Sequence, residues 1–114
     1  HQYINKQSSL PSIMARFTQH PHYAPVTICH VDGGMAWCIQ KDNVVYMANV
    51  WVHPDKREQG VGKNMMAEIS NHFAPIPIHT DYVLDSKPFW EKMMAEGIIE
   101  NMIHEEIDFD WIKG

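Results

Sequence analysis

The sequence predicts a mixed α/β (α+β) domain in which a mainly antiparallel central sheet is flanked by helices. Three β-rich runs lie close together in the first half of the chain, and two short reversals separate them, at residues 32–34 and 41–43. Two amphipathic segments with helical spacing follow, each before a further strand-like run. Short turns join antiparallel strands, whereas a strand, a helix and a strand in succession predict a parallel crossover.

The composition is typical of one globular domain, which we expect to span residues 1–114. Hydrophobic residues make up 45% of the chain, and no apolar run approaches the roughly 20 residues that cross a bilayer. The net charge of −5 argues against a nucleic-acid partner, because general nucleic-acid binders carry a basic surface. Since the chain starts at His1, we expect its N-terminal part to be short or truncated.

The first predicted element is a helix that begins near Ser9 and stops near Pro21. Its apolar face would carry Ile13, Met14 and Phe17, which recur at helical spacing.

Three strands are predicted next, over residues 24–31, 35–40 and 44–52, because these runs are rich in β-branched and aromatic residues. The Asp-Gly-Gly and Lys-Asp-Asn sequences between them are typical of tight turns. The third run is apolar almost throughout, so we expect it to be buried on both faces and central in the sheet.

Helices and strands alternate in the second half. A helix is predicted over 62–73 and a second one over 86–97, with Asp85 or Ser86 as its N-cap and Gly97 at its end. The spacing of the apolar residues in the first of these helices predicts a buried face of Met65, Met66, Ile69 and Phe73.

Two further strands complete the predicted sheet. Residues 77–84 form the strand between the two helices. Residues 106–112 alternate apolar and acidic side chains, which indicates a half-buried antiparallel strand.

The cysteines and histidines do not indicate a metal site. Cys29 and Cys38 lie in strand-like runs, so we expect two buried thiols on neighbouring strands and a reducing, cytoplasmic location. His20 and His22 could ligate a metal ion, but no further pair at zinc spacing accompanies them. We therefore predict no metal.

An anion site is predicted where the third strand runs into the first amphipathic helix. Gly60 and Gly62 allow backbone N–H groups to converge there, and the helix N-terminus adds positive potential. The positive potential disfavours Lys63, a cation in the first helical turn, unless an anion is bound. The sequence does not fit the P-loop motif, because Arg57 and Asn64 stand at two of its fixed positions, and it does not fit the dinucleotide fingerprint. The alternative to an anion site is a glycine-rich turn that only ends the strand.

The wider stretch VWVHPDKREQGVGKNMM, residues 50–66, resembles the signature of the GCN5-related N-acetyltransferase (GNAT) family. That signature joins an apolar strand ending in V-x-P to R/Q-x-x-G-x-G/A and an amphipathic helix, and Arg57 to Gly62 match its glycine motif. SKPFWEKMMAEGII, residues 86–99, is similar to a later helix of the family. The resemblance covers about Ile28 to the C-terminus.

The resemblance implies an N-acetyltransferase that moves acetyl from acetyl-CoA directly to a primary amine. It implies a splay between the central strand and the next, with Val50 and Val52 pairing with the pantetheine arm and Gln59 to Lys63 holding the pyrophosphate. The implied cofactor-binding residues are Val50, Trp51, Val52, Arg57, Glu58, Gln59, Gly60, Val61, Gly62, Lys63, Ser86 and Trp90.

The chain departs from the family at the residues that would handle protons. Trp90 stands where a tyrosine often protonates the leaving thiolate, and an indole cannot act as that acid, so a core role is favoured for Trp90 over a chemical one. Ser86 or Tyr82 are alternative acids. The central strand has no carboxylate and offers Tyr46, Asn49 and His53. His53 is the candidate base, and the alternative is an exposed loop histidine before Pro54.

The predicted catalytic residues are thus His53, Asn49 and Ser86. The alternative is a protein of the same fold, of phage origin for example, that has lost catalysis and serves as a binding or structural subunit. The acidic row Glu106, Asp108 and Asp110 would favour a cationic acceptor, unless it is only a solvated strand edge. A homodimer and the absence of a membrane partner are further expectations.

Overall fold

The computed structural model describes residues 14–81, 86–103 and 110. Within them the chain forms one mixed six-stranded sheet with two α-helices. The strands are β1 Arg16–Gln19, β2 Val26–Val31, β3 Gly34–Lys41, β4 Val44–Val52, β5 Ile78–Asp81 and β6 Asn101–Ile103. The helices are α1 Val61–Phe73 and α2 Lys87–Ala95, and a 3-10 turn, Pro54–Lys56, precedes α1.

The strands lie in the sheet in the order of the sequence. β1 to β4 pair antiparallel with one another, and β5 and β6 add parallel to β4. The predicted meander of three strands, the parallel crossover after the third strand and the mainly antiparallel character are all confirmed. β4 has strands on both sides, so its predicted central position is also confirmed.

The two reversals in the meander have the geometry that their sequences predict. Gly33 has φ +84° in the first turn. Asp42 and Asn43 have φ +51° and +64° in the second, as in the two-residue hairpin turns that match the strand twist.

The predicted N-terminal helix is wrong where it can be compared with the structure. Residues 1–13 lie outside the described part, and Arg16–Gln19 form strand β1, which pairs with Thr27 to His30 of β2. Phe17 does point to the interior, but it stacks on His72 of α1 with ring centroids 3.7 Å apart. The open edge of β2 offers this segment a full ladder of hydrogen bonds, and that tertiary pairing outweighs a weak local helical pattern.

Both helices pack on the same face of the sheet, which is where the main core lies. The predicted α1 face is confirmed, with Met65, Met66 and Ile69 fully buried and Phe73 partly buried. The strand side of this core includes Cys29, Ala36, Cys38, Val45 and Met47, and α2 contributes Trp90 and Met93. Among the described residues, both α-helices thus cover this one face of the sheet.

The opposite face of the sheet carries a smaller cluster, with Val26 and Ile39 fully buried at its centre. On β4 this face is only half-buried at Tyr46, and Trp51 is exposed. The expectation that β4 is buried on both faces is therefore wrong in part. On the side of the helices, β4 is fully buried at Val45 and Met47 and partly buried at Val50 and Val52, and aromatic side chains pack on its other side.

The second helix begins and ends at the predicted positions. Gly97 has φ +74° just after α2, and such a left-handed glycine commonly terminates a helix. Ser86 occupies the N-cap position, yet its side chain makes no capping hydrogen bond. Asp85, the other predicted cap, lies outside the described residues.

The chain after α2 differs from the sequence-based expectation. The short strand β6 was not predicted, and it pairs parallel with β5. The predicted strand over 106–112 lies outside the described residues except for Asp110, which is exposed and in a 3-10 turn. In the described part of the chain, no helix is both long and apolar enough to span a membrane.

The two cysteines are buried free thiols on neighbouring strands, as predicted. Burial, with a smaller contribution from the Glu68 carboxylate, raises the pKa of Cys29 from 9.0 to about 11, and burial also raises the pKa of Cys38. A thiol that stays protonated in the folded state stabilises the fold below its unfolded pKa and loses that effect as the pH rises through its folded pKa.

We therefore expect the free energy of unfolding to fall between about pH 9 and 11. Urea denaturation at several pH values measures this directly, and the Cys29→Ala variant should show a shallower decline. An equal slope in the variant would contradict the assignment to this thiol.

Candidate functional site

The sheet opens on one side of β4. β4 pairs with β3 from Val44 to Val52, but with β5 only from Val45 to Met47. Beyond Met47, no strand in the described part of the chain pairs with the β5 side of β4. The splay between the central strand and the next, which the resemblance implied, is thus present, and it leaves backbone N–H and C=O groups at the edge that require other partners.

A β-bulge lies where the splay begins. Met35 pairs with Trp51 and Trp37 with Ala48, so Asn49 and Val50 both lie opposite the single residue Ala36. Asn49 has φ +51°, a left-handed conformation that asparagine tolerates better than most residues. The sequence analysis did not predict the bulge, although a lone Asn in an otherwise apolar strand is the signal that could have found it.

Side-chain hydrogen bonds fix the loop between β4 and α1. His53 Nδ1 accepts a hydrogen bond from Asp55 N at 3.1 Å and so caps the 3-10 turn. Arg57 Nε donates to the carbonyl oxygen of Val52 at 3.0 Å, and Gln59 Nε2 donates to the carbonyl oxygen of Asp55 at 2.8 Å. These bonds hold the loop against the end of β4.

The two glycines of the loop serve different purposes. Gly60 has φ +84° and accepts the first helical hydrogen bond from Asn64 N at 2.9 Å, so it starts α1 in a conformation that suits glycine. Gly62 lies in the first turn of α1, and a Cβ there would be 3.2 Å from Phe89 Cε1 and 3.6 Å from Val52 Cγ2. Gly62 therefore allows α1, α2 and β4 to approach one another closely.

These elements surround a cavity of about 840 Å³. Its walls are the splayed part of β4, the loop, the start of α1 and the facing side of α2. The lining residues are Met47, Ala48, Asn49, Val50, Val52, Lys56, Arg57, Glu58, Gly60, Gly62, Lys63, Thr80, Ser86, Phe89, Trp90, Lys92 and Met93.

The charge of the cavity is opposite to that of the chain. Its lining contains four basic residues, Lys56, Arg57, Lys63 and Lys92, and one acidic residue, Glu58. These four are nearly half of the nine Lys and Arg residues in a chain of net charge −5. The start of α1 adds the positive end of a helix dipole to the same region.

Most of the predicted binding residues meet at this cavity. Val50, Val52, Arg57, Glu58, Gly60, Gly62, Lys63, Ser86 and Trp90 all line it. Trp51, Gln59 and Val61 are not among the lining residues. Trp51 is exposed, and Gln59 holds the loop through Asp55.

The predicted catalytic residues are divided. Asn49 and Ser86 line the cavity, whereas His53 does not. The imidazole of His53 packs edge-on against Trp51, with ring centroids 5.7 Å apart, and its Nδ1 is engaged in the 3-10 turn. Tyr82, the alternative acid, lies outside the described residues.

Trp90 is both a core residue and a wall of the cavity. It is 4% exposed, packs edge-on against Phe89 with ring centroids 4.8 Å apart, and belongs to the main core. Its indole N–H can only donate a hydrogen bond. Its position thus agrees with the core interpretation, while contact with a ligand in the cavity remains compatible with it.

Sequence reasoning missed several lining residues, among them Lys56, Thr80, Phe89 and Lys92. Phe89 and Lys92 are three residues apart on α2, so they share a helix face, and that spacing could have paired them. Thr80 is buried beside Met47 of β4, and a polar residue inside a short strand was its only signal.

Two polar features outside the cavity are structural. His20 Nδ1 accepts hydrogen bonds from His22 N and Tyr23 N, at 3.0 and 3.2 Å, and so shapes the turn before β2. Glu100 accepts a hydrogen bond from Ile78 N at 2.7 Å and ties the chain before β6 to β5. In the described ranges, no group of three His, Cys, Asp or Glu residues could hold a metal ion.

Comparisons with known proteins give little beyond this geometry. No protein-family profile and no curated protein matches the sequence. Among solved structures, the chain is similar to the aminoglycoside N-acetyltransferase AAC(6')-Iy in complex with CoA, with a TM-score of 0.46 and 21% identity over 80% of this chain and 68% of that chain. The mixed α+β architecture itself rests on the strand order and pairing given above.

Proposed function

We propose that this chain is a GNAT-like N-acetyltransferase that transfers acetyl from acetyl-CoA directly to a primary amine of a small-molecule or protein acceptor. One observation carries the proposal. The cavity combines an open strand edge at Val50 and Val52, partly buried apolar walls, and a basic end at the start of α1. A ligand that fits all three parts needs an extended amide-bearing arm and a polyanionic head.

Acetyl-CoA has this chemistry. The amides of its pantetheine arm can hydrogen-bond to a free strand edge in the manner of an added strand. Its pyrophosphate can be bound by the N–H groups at the start of α1, with Lys56, Arg57, Lys63 and Lys92 nearby to offset its charge. The family resemblance implies the same two roles: Val50 and Val52 would pair with the pantetheine arm, and Gln59 to Lys63 would hold the pyrophosphate.

In the proposed reaction, the neutral amine attacks the thioester carbonyl carbon, so that a C–N bond forms and the C–S bond breaks. The amine loses one proton and the CoA thiolate takes one up. Asn49 and Ser86 line the cavity and are the described candidates for hydrogen bonds to the reacting groups. His53 would need to act from outside the cavity through its other ring nitrogen, Nε2, because Nδ1 caps the 3-10 turn.

A binding protein without catalysis is the second candidate function. The observation that favours it is the composition of the cavity wall: in the described part of the chain, Glu58 is the one carboxylate that lines the cavity, and no histidine or tyrosine does. Such a wall can hold an acyl-CoA without moving protons.

Turnover separates the two functions. Purified protein is mixed with acetyl-CoA and a panel of amines (polyamines, lysine peptides, N-terminal peptides and aminoglycosides), and free CoA is measured with a thiol reagent. An enzyme should release CoA only when an amine is present, at a rate that rises with pH until the acceptor is deprotonated. Binding of acetyl-CoA without any amine-dependent release would establish the binding function instead.

A cytoplasmic location belongs to the same proposal. Two free buried thiols on neighbouring strands suit a reducing compartment. A cationic acceptor and a homodimer stay predictions from the sequence.

A further inference from the structure

One of the basic residues of the cavity is already engaged by a carboxylate. Lys63 Nζ lies 2.7 Å from Glu96 Oε1, and both side chains are about one-third exposed, at 34% and 33%. The hydrogen bond from Lys63 lowers the pKa of the Glu96 carboxyl. Lys63 lines the cavity, while Glu96 lies just beyond the end of α2 and outside the lining.

Both charges are at unfavourable ends of their helices. Lys63 is in the first turn of α1, where the helix dipole disfavours a cation, and Glu96 is the C-cap of α2, where it disfavours an anion. Neither residue therefore stabilises its own helix. The ion pair offsets these two costs, but an exposed pair of this kind contributes little to stability.

The Glu96 carboxylate pairs with Lys63, which follows Gly60 and Gly62 and lines the cavity. It therefore places a negative charge beside a lysine of the first turn of α1. A phosphate oxygen can make the same charge-assisted bond with Lys63 and can add bonds from the backbone N–H groups.

We infer that Glu96 is an affinity-setting residue that competes with the phosphate groups of the ligand for Lys63. This inference rests on the proposed function. Binding of acetyl-CoA would transfer Lys63 from the carboxylate to the pyrophosphate and leave Glu96 near Lys92, which already interacts with it electrostatically.

The Glu96→Gln variant tests this inference, because it keeps the side-chain shape and removes the charge. Isothermal titration of CoA should give a Kd about two- to fivefold lower than for the unmodified chain, the range that exposed ion pairs span. The gain should diminish at high salt, since exposed charges are screened. Glu91→Gln, at an exposed position on α2, is the matched control and should leave the Kd unchanged.

Two further measurements separate competition from a structural role of the pair. In a Lys63→Gln background, adding Glu96→Gln should no longer tighten CoA binding, and pantetheine, which lacks phosphate, should bind the parent and Glu96→Gln equally. If Glu96→Gln binds CoA as tightly as the parent or more weakly, the pair only joins the two helices and the inference is overturned. If neither form binds CoA, the proposed function itself fails and the inference with it.

Discussion

Replacing Trp90 by alanine should lower the free energy of unfolding by about 3–5 kcal/mol, the range for removing a buried aromatic side chain. Trp90 is 4% exposed and packs in the core with Phe89 and Met93. Its removal would leave a void that joins the ligand cavity, because the side chain forms part of the wall. Urea denaturation followed by circular dichroism measures the change as a lower transition midpoint.

Trp51→Ala is the matched control for this prediction. Trp51 is 45% exposed, so the same truncation should cost no more than about 1 kcal/mol. A Trp90→Ala variant as stable as Trp51→Ala would contradict the core interpretation. If that variant were stable but had lost CoA binding, Trp90 would have to be regarded as a binding residue first.

The sequence predicted the part of the fold that local patterns determine. The turns at Gly33 and at Asp42 and Asn43 were predicted correctly because residues that accept positive φ are few. Helix α1 was predicted correctly because its apolar residues recur over three turns. Strand β1 was not predicted, because Phe17 has apolar neighbours at helical spacing. The segment is extended because it pairs with the edge of β2, which no local pattern indicates.

The candidate site was predictable along one stretch of chain and not across the fold. Gly60, Gly62 and Lys63 are close in sequence, so one motif identified them together. Lys92 reaches the same cavity from another helix. Its spacing pairs it with Phe89 on one face of α2, but only the fold places that face at the cavity. His53 is close to β4 along the chain, but its ring packs beside Trp51 and it is not among the residues that line the cavity.

Replacing Gly62 by valine should abolish binding of CoA while the protein stays folded. A Cβ at this position would already lie 3.2 Å from Phe89 and 3.6 Å from Val52, and the two methyl groups of valine would push Phe89 into the cavity or fill it themselves. In the parent, acetyl-CoA at 100 times its Kd should add about 2.7 kcal/mol to the free energy of unfolding. Thermal denaturation with and without acetyl-CoA measures that gain, which we expect to vanish in the variant.

Two companion variants show whether the loss comes from the cavity. Gly62→Ala adds only the Cβ, so it should weaken binding without abolishing it, and the better helix propensity of alanine should offset part of the crowding. Asn71→Val introduces the same side chain at an exposed position of α1, and the stabilisation by acetyl-CoA should then equal that of the parent. If Gly62→Val keeps the full stabilisation, the ligand does not bind at the start of α1. Valine at this position must change the wall between α1 and α2, so unchanged binding would mean that the ligand does not contact this wall. The basic residues around the cavity would then need another explanation.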